Sequence, residues 1–457
     1  MISMKQKNSP LVLGTESIPK LLTQYSLPAI IAMTASSLYN MIDSIFIGQG
    51  VGPLAISGLA LTFPLINLAA AFGSLVGIGA STLVSVKLGQ RDYDSASNIL
   101  GNVMVLNVVI GILFSIICYA YLDPILYFFG ASDDTLSYAR DYLVVILIGN
   151  VVTHIYFGLN AVLRSSGYPK IAMITTLASV VVNCFLNALF IFAWDWGIAG
   201  AAWATVLSQF LALIYQLIHF SNKNNYIHFK RGIYKLKKDI VSGILSIGMS
   251  PFLMNLCACF VVIMINKGLK EHGGDMAIGA YGIVNRIAFL FVMIIMGLNQ
   301  GMQPIVGYNY GARQYGRVLS VLKYTMIFAV SISTSGALFC ELFPELIVSM
   351  FTHNQELIDK SAHGLRLIMI AFPMVGAQIV AVNFFQSLGM ARKAIVLSLT
   401  RQLIFLIPSL YILPMFLGLD GVWLSLPLAD VVATSVSLAI LYRQYLKFKQ
   451  MHHAESK

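Results

Sequence analysis

Charge is scarce in this chain. Only 11% of its 457 residues are charged, 29 Lys and Arg against 19 Asp and Glu, where a soluble domain carries roughly 25%. That excludes an ordinary water-soluble fold. Cysteine is scarce too: Cys118, Cys184, Cys257, Cys259 and Cys340 make an odd number, lie in apolar stretches and form no CxxC pair. A disulfide framework is excluded, and the thiols read as small buried hydrophobes. The chain lacks HExxH, GxSxG, paired intramembrane aspartates and any Cys/His set at metal spacing, so neither an enzyme nor a metal centre is expected. It has no basic arm or patch, because its net charge of +10 is spread over alternate loops. That excludes a nucleic-acid partner. No cleavable leader is expected either, since the first 20 residues are polar and the apolar run after them is too long for one.

What the chain does have is apolar length. Its residues are 58% hydrophobic, gathered in runs of about 20 with short polar gaps, the pattern of a polytopic membrane protein. We read twelve spans, at 21–47, 54–84, 98–121, 137–163, 169–193, 197–219, 240–266, 277–306, 319–340, 358–387, 394–417 and 420–444. The expected fold class is an all-α polytopic membrane protein in a lipid bilayer. Pro28, Pro64, Pro251, Pro373 and Pro408 fall inside spans, and bundles tolerate them because neighbours re-satisfy the freed backbone groups.

Lys and Arg set the orientation. With the N-terminus in the cytoplasm, only Arg140, Lys267, Lys270, Lys360 and Arg366 fall outside, and Arg286 and Arg401 within spans. Acids lean the other way, with Asp133, Asp134, Asp195, Glu345 and Glu356 outside. The positive-inside rule thus predicts an even span count and both termini in the cytoplasm.

The basic loop 220–239 divides the chain into an N-lobe, 1–219, and a C-lobe, 240–457, of six spans each. The lobes repeat at an offset of 222. Gly89-Gln90-Arg91-Asp92-Tyr93 matches Gly311-Ala312-Arg313-Gln314-Tyr315, Gly79 matches Gly301, and Gly167 matches Gly389. Near the ends the offset slips by one, as Gly197 and Gly200 match Gly418 and Gly421. Six spans per repeat preserve orientation, so a pseudo-two-fold axis along the membrane normal and a transporter-like pair of lobes are expected.

Charges within spans are functional hypotheses, since an acid there costs ~2.5–3.5 kcal/mol on insertion scales. Asp43 lies near the outer end of span 1, in LYNMIDSIFIGQG at 38–50. It is either a functional carboxylate or a helix-packing group. Arg286 and Asp430 fall at similar depth in spans 8 and 12, so an ion pair forming a C-lobe polar site is expected. Arg401 and Gln402 are expected to tie span 11 to its neighbours. His154, mid-span, is either a proton relay or a hydrogen-bonded structural histidine. Met and Phe, 20 and 27 in number, suit a promiscuous cavity and equally suit packing.

Longer stretches carry a family likeness: YNMIDSIFIG at 39–48, KLGQRDYDSA at 87–96, LRSSGYPKIAM at 163–173 and GIAGAAWATVLSQ at 197–209. In the second half they are AYGIVNRIAFL at 280–290, GLNQGMQPIVGYNYGA at 297–312 and GLDGVWLSLPLAD at 418–430. With these the chain resembles the multidrug and toxic compound extrusion (MATE) transporters, and within them the bacterial branch closest to the staphylococcal multidrug exporter. The resemblance implies an antiporter in the bacterial plasma (inner) membrane, a monomer, exporting small amphipathic organic cations in exchange for H+ or Na+. No other cofactor is implied. Asp43 occupies the place of the family's coupling acid. The family's Asn and Asp four apart in helix 5 correspond to Asn183 and Asn187, its helix-6 threonine to Thr205 and its helix-4 tyrosine to Tyr142. The second acid is an amide here, which tilts the expectation toward protons. The branch that uses a helix-7 glutamate has no counterpart, because span 7 holds no acid.

Depth agrees with this set. Counted from the span ends at ~1.5 Å per residue, Asp43, Asn187, Tyr142 and Thr205 lie within roughly 6 Å of one level, and Asn183 and Asn187 share a helix face. The rival function is a flippase, or an exporter of a lipid-linked or other small endogenous solute. A pyrophosphate-linked cargo calls for several basic groups in the cavity, and only Arg286 and Arg401 lie within spans.

Overall fold

The structure is a computed structural model that describes residues 11–455, the side chains at 40, 41, 53, 275 and 455 excepted. The chain ends, expected in the cytoplasm, lie outside the described residues. The described residues form helices joined by turns and one longer connection, 222–237. Eleven are long and apolar enough to cross a membrane: α1 (Ile18–Gly50), α2 (Leu54–Gly89), α3 (Tyr93–Ala120), α4 (Asp133–Ser165), α5 (Pro169–Ala193), α6 (Gly197–Ser221), α7 (Lys238–Gly274), α8 (Met276–Gly311), α9 (Tyr315–Leu342), α11 (Ala391–Leu417) and α12 (Leu419–Ala454). The twelfth, α10, is a bent pair, Gln355–Met369 and Phe372–Ser387, that meet at 51°.

That bend is absent from the sequence reading, which drew 358–387 as one span. Its cause is local. Pro373 is the second residue of the second half and brings no N–H to the ladder. Neighbours bond the first turn of the second half: the Ser333 hydroxyl donates to Pro373 O at 3.2 Å and the Thr434 hydroxyl to Met374 O at 3.2 Å. Helix starts carry their expected caps. Asp92 accepts the Ser95 N–H at 3.0 Å at the head of α3, and Ser132 and Thr135 form a reciprocal cap at the head of α4.

The chain forms two compact units. One holds residues 31–252 and the segment up to Leu13, and the other holds 14–30 and 253–457. The sequence division at 220–239 kept α1 and α7 whole. The units instead cut α1 after Ile30 and α7 after Phe252.

Glycine crossings account for the cuts. In the first unit the opening turns of α7 lie against α2, so close that a Cβ on Gly79 would stand 2.0 Å from Ile244 O and one on Gly248 1.8 Å from Leu75 O. In the second unit the opening turns of α1 lie against α8 in the same way. A Cβ on Gly301 would stand 2.5 Å from Ser26 N, and one on Gly297 2.6 Å from the Ile30 Cα. The Ser26 hydroxyl donates to Leu298 O at 3.2 Å across that contact. Gly79 and Gly301, Leu75 and Gly297, and Ser26 and Gly248 are each 222 residues apart.

The repeat is also written in the backbone. Arg91 and Arg313 are left-handed at φ 60° and 59°, Gly52 and Gly274 at 122° and 69°, Gly167 and Gly389 at 99° and 73°, and Gly197 and Gly418 at 57° and 58°. Left-handed arginine is unfavourable, and it recurs here at the same step of both halves. Each unit has its own core, around Ile47, Leu59, Ile191 and Ile198 in the first and around Val261, Ile283, Leu365 and Trp423 in the second.

The crossings predict asymmetric tolerance of glycine replacement. Gly301→Ala forces a methyl onto α1 and should destabilise by about 1–3 kcal/mol. Gly282→Ala, with nothing within 4 Å, should be neutral or stabilising. Thermal unfolding followed by size-exclusion chromatography measures both, and equal midpoints would refute the close-crossing argument.

Candidate functional site

One cavity within the first unit, of about 320 Å³, brings the chain's polar span residues together. Its wall includes Tyr39 and Asp43 of α1, Tyr142 and His154 of α4, and Thr205 and Gln209 of α6. Asp43 is 5% exposed. Its Oδ1 accepts a hydrogen bond from Asn187 Nδ2 at 2.7 Å. The same amide nitrogen donates to Asn183 Oδ1 at 2.8 Å, so the i, i+4 pair expected on one face of α5 is a bonded pair. Asn183 Nδ2 then reaches Tyr39 OH and Thr205 Oγ1, each at 3.4 Å. Tyr39 OH and Thr205 Oγ1 are 2.6 Å apart, and Thr205 donates to Ala201 O at 3.1 Å. Tyr142 is buried beside them, its hydroxyl next to Thr205.

The structure therefore brings Asp43, Asn183, Asn187, Thr205 and Tyr142 into one cluster, of which Asp43, Thr205 and Tyr142 line the cavity. It adds Tyr39, which sequence reasoning passed over. The signal was present: Tyr39 precedes Asp43 by four residues, so the two share a helix face.

Two features give the cluster its chemistry. Among the described residues no Lys, Arg or His pairs with Asp43. The carboxylate is met only by neutral donors. Beside it, Asn187 Oδ1 is buried with no hydrogen-bond partner among the described residues. Asp43 lines the cavity and Asn187 stands behind it, so the carboxylate presents an edge that accepts and does not donate. A proton on Asp43, or a cation beside it, satisfies such an edge. Just past Asn187 the helix widens into a π-helical turn, Ala188–Ala193, a distortion often found at functional sites.

The second unit differs from expectation. Asp430 pairs with Arg401, Nε to Oδ1 at 2.5 Å, and not with Arg286. The Asp430 side chain is 8% exposed and that of Arg401 28%. Arg286 lies on an exposed face of α8 and makes no salt bridge among the described residues. Depth placed Arg286 and Asp430 at one level, but depth does not fix the direction a side chain takes around its helix. Arg401 sits on a second π-helical turn, Thr400–Leu406, and so does tie α11 to α12. The neighbouring Gln402 is buried.

Comparison with known proteins bears on all of this. The MatE family model matches residues 28–189 and 247–412, once in each half of the repeat. The multidrug export protein MepA of Staphylococcus aureus (strain MSSA476) is 28% identical over 423 residues, covering 93% of each chain. MepA of Staphylococcus haemolyticus (strain JCSC1435) is 29% identical over 426 residues, covering 93% of this chain and 94% of that one. Among solved structures, the MATE multidrug transporter DinF-BH is 36% identical, with a TM-score of 0.87 over 94% of this chain and 96% of that one. An outward-facing MATE family transporter of the MOP superfamily gives a TM-score of 0.90 at 23% identity, covering 96% and 98%. That last likeness speaks for the fold alone.

The corrected ion pair makes a double-mutant prediction. Arg401→Met or Asp430→Leu alone strands a charge and should cost about 3–5 kcal/mol, while the double variant should recover most of that. Arg286→Ala should leave stability unchanged. Thermal unfolding of the four proteins decides it, and additive losses in the double variant would refute the pairing.

Proposed function

The chain belongs to the MatE family, and on that premise we propose that it is a secondary active multidrug efflux antiporter of a bacterial plasma membrane. Membership makes it a multi-pass membrane transporter of small molecules and not an enzyme. The finer reading is that amphipathic organic cations leave in exchange for H+ by alternating access, with both chain ends in the cytoplasm. The observation that carries it is the state of Asp43: a buried carboxylate on a cavity wall, hydrogen-bonded to a neutral amide and unpaired with any basic side chain among the described residues.

Such a carboxylate holds its charge at a cost unless something positive arrives. A proton, a sodium ion or an organic cation each neutralises it. One negative charge answers one positive occupant at a time, and that exclusion is the coupling an antiporter needs. A large cation entering the cavity draws the carboxylate into its charged form and expels the proton. A proton arriving on Asp43 removes the attraction that held the cation. The cavity walls fit such cargo: Tyr39, Phe63, Tyr142 and Phe157 present aromatic faces, to which organic cations are attracted.

Protons are favoured over sodium by the donor set. A metal ion is best held by several oxygens, with carboxylates among them. Around Asp43 the second position is an amide, Asn187, so the set supplies one formal negative charge. A proton needs only the one carboxylate.

Dye efflux tests the reading. In cells without their own pumps, wild-type protein should extrude ethidium, and Asp43→Asn should lower the gradient-dependent rate at least tenfold. Efflux should collapse when the pH gradient is removed and persist when sodium is replaced by potassium. Full activity of Asp43→Asn would overturn the assignment of Asp43. Sodium dependence without pH dependence would exchange the coupling ion. A wild type that moves no dye would refute cationic drug export.

A further inference from the structure

Asp43 shares its cavity with a second titratable side chain. His154 of α4 lines the same wall, is 1% exposed, and has neither ring nitrogen hydrogen-bonded among the described residues. The Ala69 carbonyl of α2 lies beside it. Its polar neighbours are already engaged elsewhere. Asn150 donates to Gly111 O at 3.2 Å, Thr153 to Gln209 Oε1 at 2.5 Å, and Tyr156 to Thr176 Oγ1 at 3.4 Å. None of these side chains holds the imidazole.

The groups that line the cavity with it are few in kind. From α1 come Asp43 and Tyr39, and from α4 itself Tyr142 and Tyr156. The α2, α5 and α6 walls bring only neutral groups, such as Asn67, Ser179 and Gln209. Asp43 is thus the single carboxylate of the lining, and no Lys or Arg among the described residues joins it. His154 lies twelve residues along α4 from Tyr142, roughly 18 Å of helix at 1.5 Å per residue. The carboxylate and the imidazole therefore stand toward opposite ends of one cavity.

We propose that His154 is a second proton-binding group of this cavity, loaded when the cavity holds no organic cation and unloaded when one enters. The step is a simple transfer. Water in the cavity delivers a proton to a ring nitrogen, giving the imidazolium, and takes it back when a cation shares the space. No existing side-chain hydrogen bond has to break in either direction. Cation and imidazolium repel, so binding of one weakens the other by the same factor. A transport cycle then exchanges up to two protons per organic cation, one through Asp43 and one through His154. This rests on the antiport reading above and deepens it.

Linkage provides the test. Tetraphenylphosphonium binding to the full chain in detergent is measured by equilibrium dialysis from pH 5 to pH 8. One competing proton raises Kd by at most tenfold per pH unit as pH falls, and two raise it by more. Wild type should exceed tenfold per unit over part of the range, and His154→Gln should stay at or below tenfold with binding retained at pH 8. Asp43→Asn, where it still binds, should keep a shallow dependence that the double variant loses. A wild-type slope that never exceeds tenfold, or a His154→Gln slope equal to a steeper wild type, overturns the role of His154 and leaves the antiport reading standing. Binding independent of pH in wild type overturns both. The wild-type slope needs no variant, so misfolding of His154→Gln cannot rescue the proposal.

Discussion

The site depends on a buried carboxylate that no basic side chain among the described residues neutralises. Asp43 is buried, yet its contact is the amide of Asn187 at 2.7 Å and not a basic side chain. A neutral donor orients a carboxylate without discharging it. Had an arginine stood at position 187, the pair would be complete and the site inert. The rest of the network keeps the amide fixed. Asn187 binds Asn183, which reaches Tyr39 and Thr205, and Thr205 is tied to the backbone of α6. Three helices hold one carboxyl group in place and leave its charge open.

The second unit shows the alternative. The chain is an internal duplication, carried down to left-handed Arg91 and Arg313 and to the glycines that let α7 lie on α2 and α1 on α8. Its polar chemistry is not duplicated. Where the first unit leaves an acid open, the second closes Asp430 with Arg401. Duplication fixes backbone steps because glycines and tight crossings leave few substitutes. It leaves the charged side chains free to diverge, because a polar cluster can be replaced without moving a helix. Fold symmetry and functional asymmetry are therefore compatible in one chain.

Much of this was legible in the residues. Span number and repeat offset followed from apolar runs and loop motifs, since a bilayer forces length and hydrophobicity onto every crossing helix. Once the family likeness had singled out Asn183 and Asn187, their shared helix face followed from their spacing. Three things escaped. Tyr39 was hidden because a phenol at a span's polar end looks like an interfacial aromatic. The bend of α10 escaped because Pro373 is one of several span prolines, and its place in the sequence does not say which of them breaks a helix. Arg286 was assigned to Asp430 because sequence gives depth along a helix and not direction around it. Direction is set by packing, and packing turned Arg401 toward Asp430 and left Arg286 on an exposed face.

The amide at Asn187 also bears on which ion the site favours. Replacing a carboxylate by its amide keeps size and hydrogen bonding but removes one charge. A site with two acids must hold a compensating cation at all times, or share a proton between them. With a single acid it need hold nothing when Asp43 is protonated and one positive group when Asp43 is charged. Such a site has two states that differ by one proton.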